Sequence, residues 1–395
     1  MYAPHNSGPP KDPRRLINIA QKEIDRMVEA RSDLFCKRSG SVSLEEYQAL
    51  IKETDRFHND SFTPIIFGLF GEVGSIMSAS KKYHRETKAY IGYKEAVEEE
   101  FGDALWYFTA LCRRLSESIS ELFYAAVDDQ SSGLIAACDH EHAPLSQLMS
   151  AKNLEDLDCS LLSLGAVTAD MLKISDFKKI KKDMLVDFAR VYLQALQSTD
   201  LSFARIIKGN VRKAFGRFSN PRIDDLPDFD LDFPEEEQLP RKFEIEITER
   251  ENGRSYMRWN GVFIGSSLTD NIKDPDGYRF HDVFHFAHAA ILHWSPTFRA
   301  LIKQKRKSSP LFDETQDSGA IVVEEGLTAW IFSYAKDVDY FDGHDSISFD
   351  VLKTIEKFVR GYEVEKCPLR LWENAILQAY GVFRKIKENN GGIVI

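Results

Sequence analysis

The chain has 395 residues, enough for two or three domains of roughly 150 residues each. Its 51 Lys and Arg against 62 Asp and Glu give a formal charge of −11, which excludes general nucleic-acid binding as a main function because the surface repels a polyphosphate backbone. No apolar run reaches the ~18 residues of a membrane span, so no membrane partner is expected.

Residues 1–15 are proline-rich and carry no apolar stretch of the kind a secretory signal needs, so a disordered leader is expected there. The five cysteines are scattered without a CxxC pair, which argues for free thiols and a cytoplasmic location. From 16 to 220 apolar residues recur at three- and four-residue spacing, which predicts a helical domain. Ser43 followed by Glu46 reads as a capping box opening a helix through Tyr47 and Leu50. Residues 128–157 read as a long connection, with His140 and His142 as surface residues. The stretch 221–240 is acidic and broken by Pro227, Pro234 and Pro240, so it reads as a linker and the main domain boundary. Beyond it, Phe243, Ile245 and Ile247 alternate with charged residues. Asn252-Gly253 and Asn260-Gly261 are hairpin turns, predicting a three-stranded meander over 242–266. From Tyr278 to the end the pattern is helical again, so 241–395 is expected to be α+β. The whole is mainly α: a helical bundle followed by an α+β domain with a short β-meander.

Two segments of the helical half carry chemistry. Glu72 interrupts the apolar run Ile65–Ile76, and Glu100 and Asp103 lie three apart on one helix face. A carboxylate beside core-facing residues must be solvated, paired or metal-bound, and three converging from two helices make a hard-oxygen site suited to Mg²⁺. The plainer alternative is an acidic first turn favoured by the helix dipole. Gly71, Gly74 and Gly102 each cost about 1 kcal/mol in a helix, which points to close packing or a ligand.

The stretches Gly71-Glu72-Val73-Gly74 and Glu100-Phe101-Gly102-Asp103-Ala104-Leu105-Trp106-Tyr107 resemble the ExxE and ExxD helices of the MazG-type all-α nucleoside triphosphate pyrophosphohydrolases. Leu44–Gln48 with Thr54 resembles that family's first helix, and Ile206–Lys213 with Arg217 and Phe218 its closing helix. Together these cover about half the chain. The resemblance implies an Mg²⁺-dependent enzyme (Mn²⁺ as the alternative ion) that cleaves a nucleoside triphosphate to the monophosphate and pyrophosphate. Glu72, Glu100 and Asp103 would hold the metal and Glu99 would act as base. Housecleaning of nucleotides and their depletion during phage infection both fit such an enzyme. One position departs: Ser75 stands where the family has its second glutamate. A degenerate nucleotide-binding sensor with a C-terminal effector is therefore the second reading. Residues 158–218 echo the same unit with Asp187 retained, so an intrachain pseudo-dimer and a single longer bundle both fit, and a homo-oligomer stays open.

Lys81, Lys82 and Arg85 follow Glu72 by two or three turns, and the resemblance places Lys208, Lys213 and Arg217 on the closing helix. All six are candidates for neutralising the triphosphate, against the alternative of solvated helix surface. The runs Lys178–Lys182 and Lys303–Lys307 are expected to be exposed.

In the C-terminal half, His281, His285 and His288 occupy positions i, i+4 and i+7 of one helix face. Glu324 and Glu325 interrupt a later apolar helix. Imidazoles with carboxylates from a second helix are what a transition-metal site needs, and a second metal-dependent hydrolase is one reading of this half. Histidines half-buried among Phe280, Phe284, Phe286 and Trp294 are the alternative.

Overall fold

The computed structural model describes residues 42–127, 157–199, 201–218, 221, 226–270, 273 and 275–395. The leader, Cys36, Cys138, His140 and His142 lie outside the described residues. Among the described residues no helix is long and apolar enough to cross a membrane, and Cys112, Cys159 and Cys367 are free thiols. The chain forms two compact units, one to Phe215 and one from Gly216.

The first unit is all helix: α1 (Leu44–Thr54), α2 (Thr63–Glu86), α3 (Tyr93–Arg114), α4 (Ile119–Ala126), α5 (Leu157–Leu172), α6 (Lys182–Gln197) and α7 (Phe203–Phe218), which runs across the unit boundary. The capping box is present at α1, where Glu46 N–H donates to Ser43 Oγ at 3.2 Å and Ser43 N–H to Glu46 Oε2 at 3.1 Å. Phe101, Phe108, Phe123, Phe188, Tyr192 and Phe203 are fully buried and interlock, with Phe108 stacked on Phe188 at 4.4 Å. Each such ring removed from water stabilises the fold by about 1.5–3 kcal/mol. Helix α2 packs on both α3 and α5, and α5 on α6. Asp187, the acid retained over 158–218, is an exposed partner of Arg190 at 2.5 Å.

The second unit contains the expected meander, β1 (Ile245–Glu249), β2 (Ser255–Trp259) and β3 (Val262–Leu268). Asn260 and Gly261 both take positive φ, 50° and 75°, in the tight turn between β2 and β3. The longer α-helices of this unit are α8 (Asp282–Ala287), α9 (Pro296–Ile302), α10 (Gly319–Asp337), α11 (Phe349–Phe358) and α12 (Leu369–Asn389). One expectation fails at the end of the chain, where the helical pattern gives way to strand β4 (Gly391–Val394). It pairs antiparallel with β1, giving the sheet order β3-β2-β1-β4. Glycine is required there: a Cβ on Gly391, at φ 145°, would lie 2.4 Å from Ile247 O.

The acidic stretch read as a linker is packed at its centre, within the second unit. Asp230 is 3% exposed and accepts from Arg299, while Arg306 Nη1 donates to Phe229 O at 3.1 Å. The basic run 303–307 is likewise not all surface. Arg306 is fully buried, donating to Asp317 Oδ1 at 2.7 Å and Glu363 Oε1 at 2.6 Å. Buried carboxylates need such partners because an unpaired charge out of water is costly, and the partners here lie far apart in sequence.

Candidate functional site

Helices α2 and α3 bring Glu72, Glu100 and Asp103 together. One carboxylate oxygen from each lies within 4.8 Å of the others, and all three residues are half-buried. Close approach of the helices depends on Gly68, where a Cβ would fall 2.1 Å from the Tyr107 ring. Gly102 packs against Asn210, whose Cβ would lie 3.0 Å from an added Cβ, whereas Gly71 and Gly74 have nothing within 4 Å. The packing explanation for these glycines therefore holds for Gly102 alone. Burial, then the neighbouring Asp103 and Glu100, push the Glu72 carboxyl up to about 8. Three acids this close cannot all carry charge without a compensating cation.

Part of that cation is supplied by α7. The Lys213 ammonium donates to Asp103 Oδ2 and lies 2.6 Å from Glu99 Oε1. Burial opposes the ammonium, but Asp103 and Glu99 outweigh it and hold it above the ordinary lysine range. Asn210 Nδ2 donates to Asp103 Oδ1 at 3.1 Å, and its own Oδ1 accepts from the Tyr47 hydroxyl at 2.8 Å. Tyr47 and Asn210 were not recognised as site residues from sequence. Their signal was a buried asparagine between Ile207 and Val211, which needs a partner.

The other basic candidates are dispersed. Lys82 lies 3.8 Å from Glu86 and over the Tyr90 ring, and Arg85 donates to Glu86 Oε1 at 2.6 Å. Lys81 and Lys208 are exposed. Arg217 is engaged within the second unit, donating to Glu373 Oε2 at 2.9 Å and Ile347 O at 3.1 Å. Its guanidinium is thus committed to a buried carboxylate and not offered to a phosphate. Ser75 shares the Glu72 face of α2 and is half-buried.

In the second unit, the histidine face of α8 meets the two glutamates of α10. The α-helix ends at Ala287 and a π turn runs His288–Leu292, a distortion frequent at functional sites. Glu324 is fully buried and accepts from Ser295 Oγ at 2.8 Å, Thr297 N–H at 2.9 Å and His288 Nδ1 at 2.8 Å. His285, fully buried, places Nδ1 3.1 Å from Glu324 Oε1 and Nε2 3.4 Å from Glu325 Oε1. Burial alone would lower the His285 imidazole, but Glu324 and Glu325 outweigh it and push it up to about 10. His281 Nε2 lies 3.8 Å from Glu325 Oε2. Two ligand triples have donor atoms within 4.8 Å: His281, His285 and Glu325, and His285, His288 and Glu324.

The second unit runs from Gly216 to Ile395, with Asp230 of the acidic stretch paired to Arg299 inside it, and the comparison with known families covers most of that unit. Residues 224–395 match the family model of the MazG C-terminal domain. The motif resemblance covers the other half of the chain, and the sequence alone offered no family for the half that matches. No curated protein and no solved structure matches the chain.

Proposed function

We propose that the first unit is an Mg²⁺-dependent nucleoside triphosphate pyrophosphohydrolase, releasing a nucleoside monophosphate and pyrophosphate. The observation that carries this reading is the convergence of Glu72, Glu100 and Asp103 oxygens within 4.8 Å from two facing helices. An all-oxygen donor set of this kind fits Mg²⁺, or Mn²⁺ in its place, and the MazG C-terminal match on the same chain supports the class. When bound, the ion supplies polarisation of the α-phosphoryl group and charge neutralisation.

The chain's own residues divide the remaining work. Tyr47 and Asn210 fix the Asp103 carboxylate by a chain of two hydrogen bonds. Glu99 accepts the proton of the attacking water as the water oxygen bonds to the α-phosphorus and the bond to the departing pyrophosphate breaks. Lys213, which touches Glu99 and Asp103, balances the negative charge of the phosphates, with the exposed amines of Lys81 and Lys208 as further contacts.

A second reading, a nucleotide-binding sensor without turnover, is favoured by the hydroxyl of Ser75 on the Glu72 face and by the Lys213 ammonium already seated on Asp103. Pyrophosphate release from a panel of NTPs and dNTPs with Mg²⁺ separates the two. Turnover supports the enzyme, and binding without release supports the sensor.

A further inference from the structure

His281, His285 and His288 share one face in sequence, but the structure gives them different work. His281 Nδ1 lies 2.9 Å from the Tyr278 carbonyl, which only accepts, so Nδ1 carries a proton and Nε2 is the nitrogen left facing Glu325. Tyr278 also stacks on the His281 ring at 4.3 Å and fixes its plane. His288 Nδ1 is likewise committed to Glu324. His285 is different: both ring nitrogens are buried without a hydrogen-bond partner, although carboxylate oxygens stand 3.1 and 3.4 Å away. A buried imidazole that approaches two acids but is directed at neither is arranged as a ligand is around an ion.

We propose that His281 Nε2, His285 Nε2 and the Glu325 carboxylate bind one divalent first-row transition-metal ion. One separation falls in the range a shared ion sets and the other lies about 0.3 Å beyond it. Donors about 2.1 Å from a shared ion stand about 3.0–3.5 Å apart at octahedral or tetrahedral angles, against 3.4 Å for His285 Nε2 to Glu325 and 3.8 Å for His281 Nε2 to Glu325. Glu324 stands on the far nitrogen of His285, where a carboxylate orients a ligating imidazole, and Ser295, Thr297 and His288 hold that carboxylate in turn. His288 is therefore a positioning residue and not a ligand. The Glu325 side chain is 39% exposed, so the site is reachable from solvent, as a centre that binds water or a small ligand must be. Nitrogen donors distinguish this site from the all-oxygen site of the first unit, and its reading does not depend on the pyrophosphohydrolase.

The test is elemental analysis of the full chain purified without chelator or histidine tag. It is followed by stripping and titration with Zn²⁺ and Co²⁺, read by thermal shift and, for Co²⁺, by visible absorption. A single ion per chain and a rise in Tm on reloading are expected. His281→Ala, at a buried position, and Glu325→Gln, at a partly exposed one, should each weaken binding at least about 100-fold. His288→Ala should keep the stoichiometry with about 10- to 100-fold weaker affinity. Glu100→Gln should keep the ion, since it alters only the first unit. The proposal is overturned by a protein that neither holds nor takes up a transition ion. It is overturned equally if His288→Ala loses the ion while Glu325→Gln keeps it, or if Glu100→Gln loses it.

Discussion

Lys213 Nζ sits 2.6 Å from Glu99 Oε1 while also donating to Asp103, so one ammonium joins the proposed base to a proposed metal ligand. That relationship makes Lys213→Met informative. Loss of a charge-assisted hydrogen bond of this kind should lower kcat/KM about 10- to 100-fold. Steady-state kinetics over a range of Mg²⁺ concentrations checks this. A variant that turns over faster and needs less Mg²⁺ would show the ammonium competing with the ion.

Ser75→Glu restores a carboxylate one turn from Glu72 on the same helix face. Activity should rise, or the Mg²⁺ requirement fall, if the missing ligand limits metal binding. A rate unchanged or lowered at every Mg²⁺ concentration would mean the site has adapted to serine.

Tyr47→Phe removes the hydroxyl that donates to Asn210 and leaves a buried acceptor unsatisfied. A stability loss of about 1–3 kcal/mol is expected, with turnover lowered because Asp103 loses its orienting chain. Chemical denaturation and pyrophosphate release measure the two effects separately. Unchanged turnover would remove Tyr47 and Asn210 from the site.

Arg306→Met strips the buried Asp317 and Glu363 carboxylates of their shared cation. Unfolding of the second unit should become easier by about 3–5 kcal/mol. In the unmodified chain, the packing of Phe229, Asp230 and Leu239 predicts slow proteolysis at the 229–230 and 238–239 peptide bonds. Rapid cutting there under native conditions would contradict the burial.

Local pattern carried the helices, the capping box at Ser43, the Asn260-Gly261 turn and the pairing of Glu100 with Asp103, because each depends on residues within one or two turns. What escaped depends on partners far along the chain. Arg306 reads as part of a lysine-rich surface run until Asp317 and Glu363 are placed beside it, and Asp230 reads as linker until Arg299 arrives. Strand β4 has only four residues, two of them glycine, and its signal is the edge of β1 that it completes. The histidine face was legible as a face. The division of labour within it was not, since His285 and His288 are separated by the acids that α10 brings against them.

The most direct test of the central claim is pyrophosphate release by the full chain with Mg²⁺, compared with Glu72→Gln, Glu100→Gln and Asp103→Asn. Each variant changes a carboxylate with little change of volume, so helicity by circular dichroism should be preserved. The account predicts Mg²⁺-dependent release of pyrophosphate and a nucleoside monophosphate by the unmodified chain, lowered by orders of magnitude in all three variants. Near-full activity in any two of them, or no release from any NTP or dNTP by the unmodified chain, would contradict it.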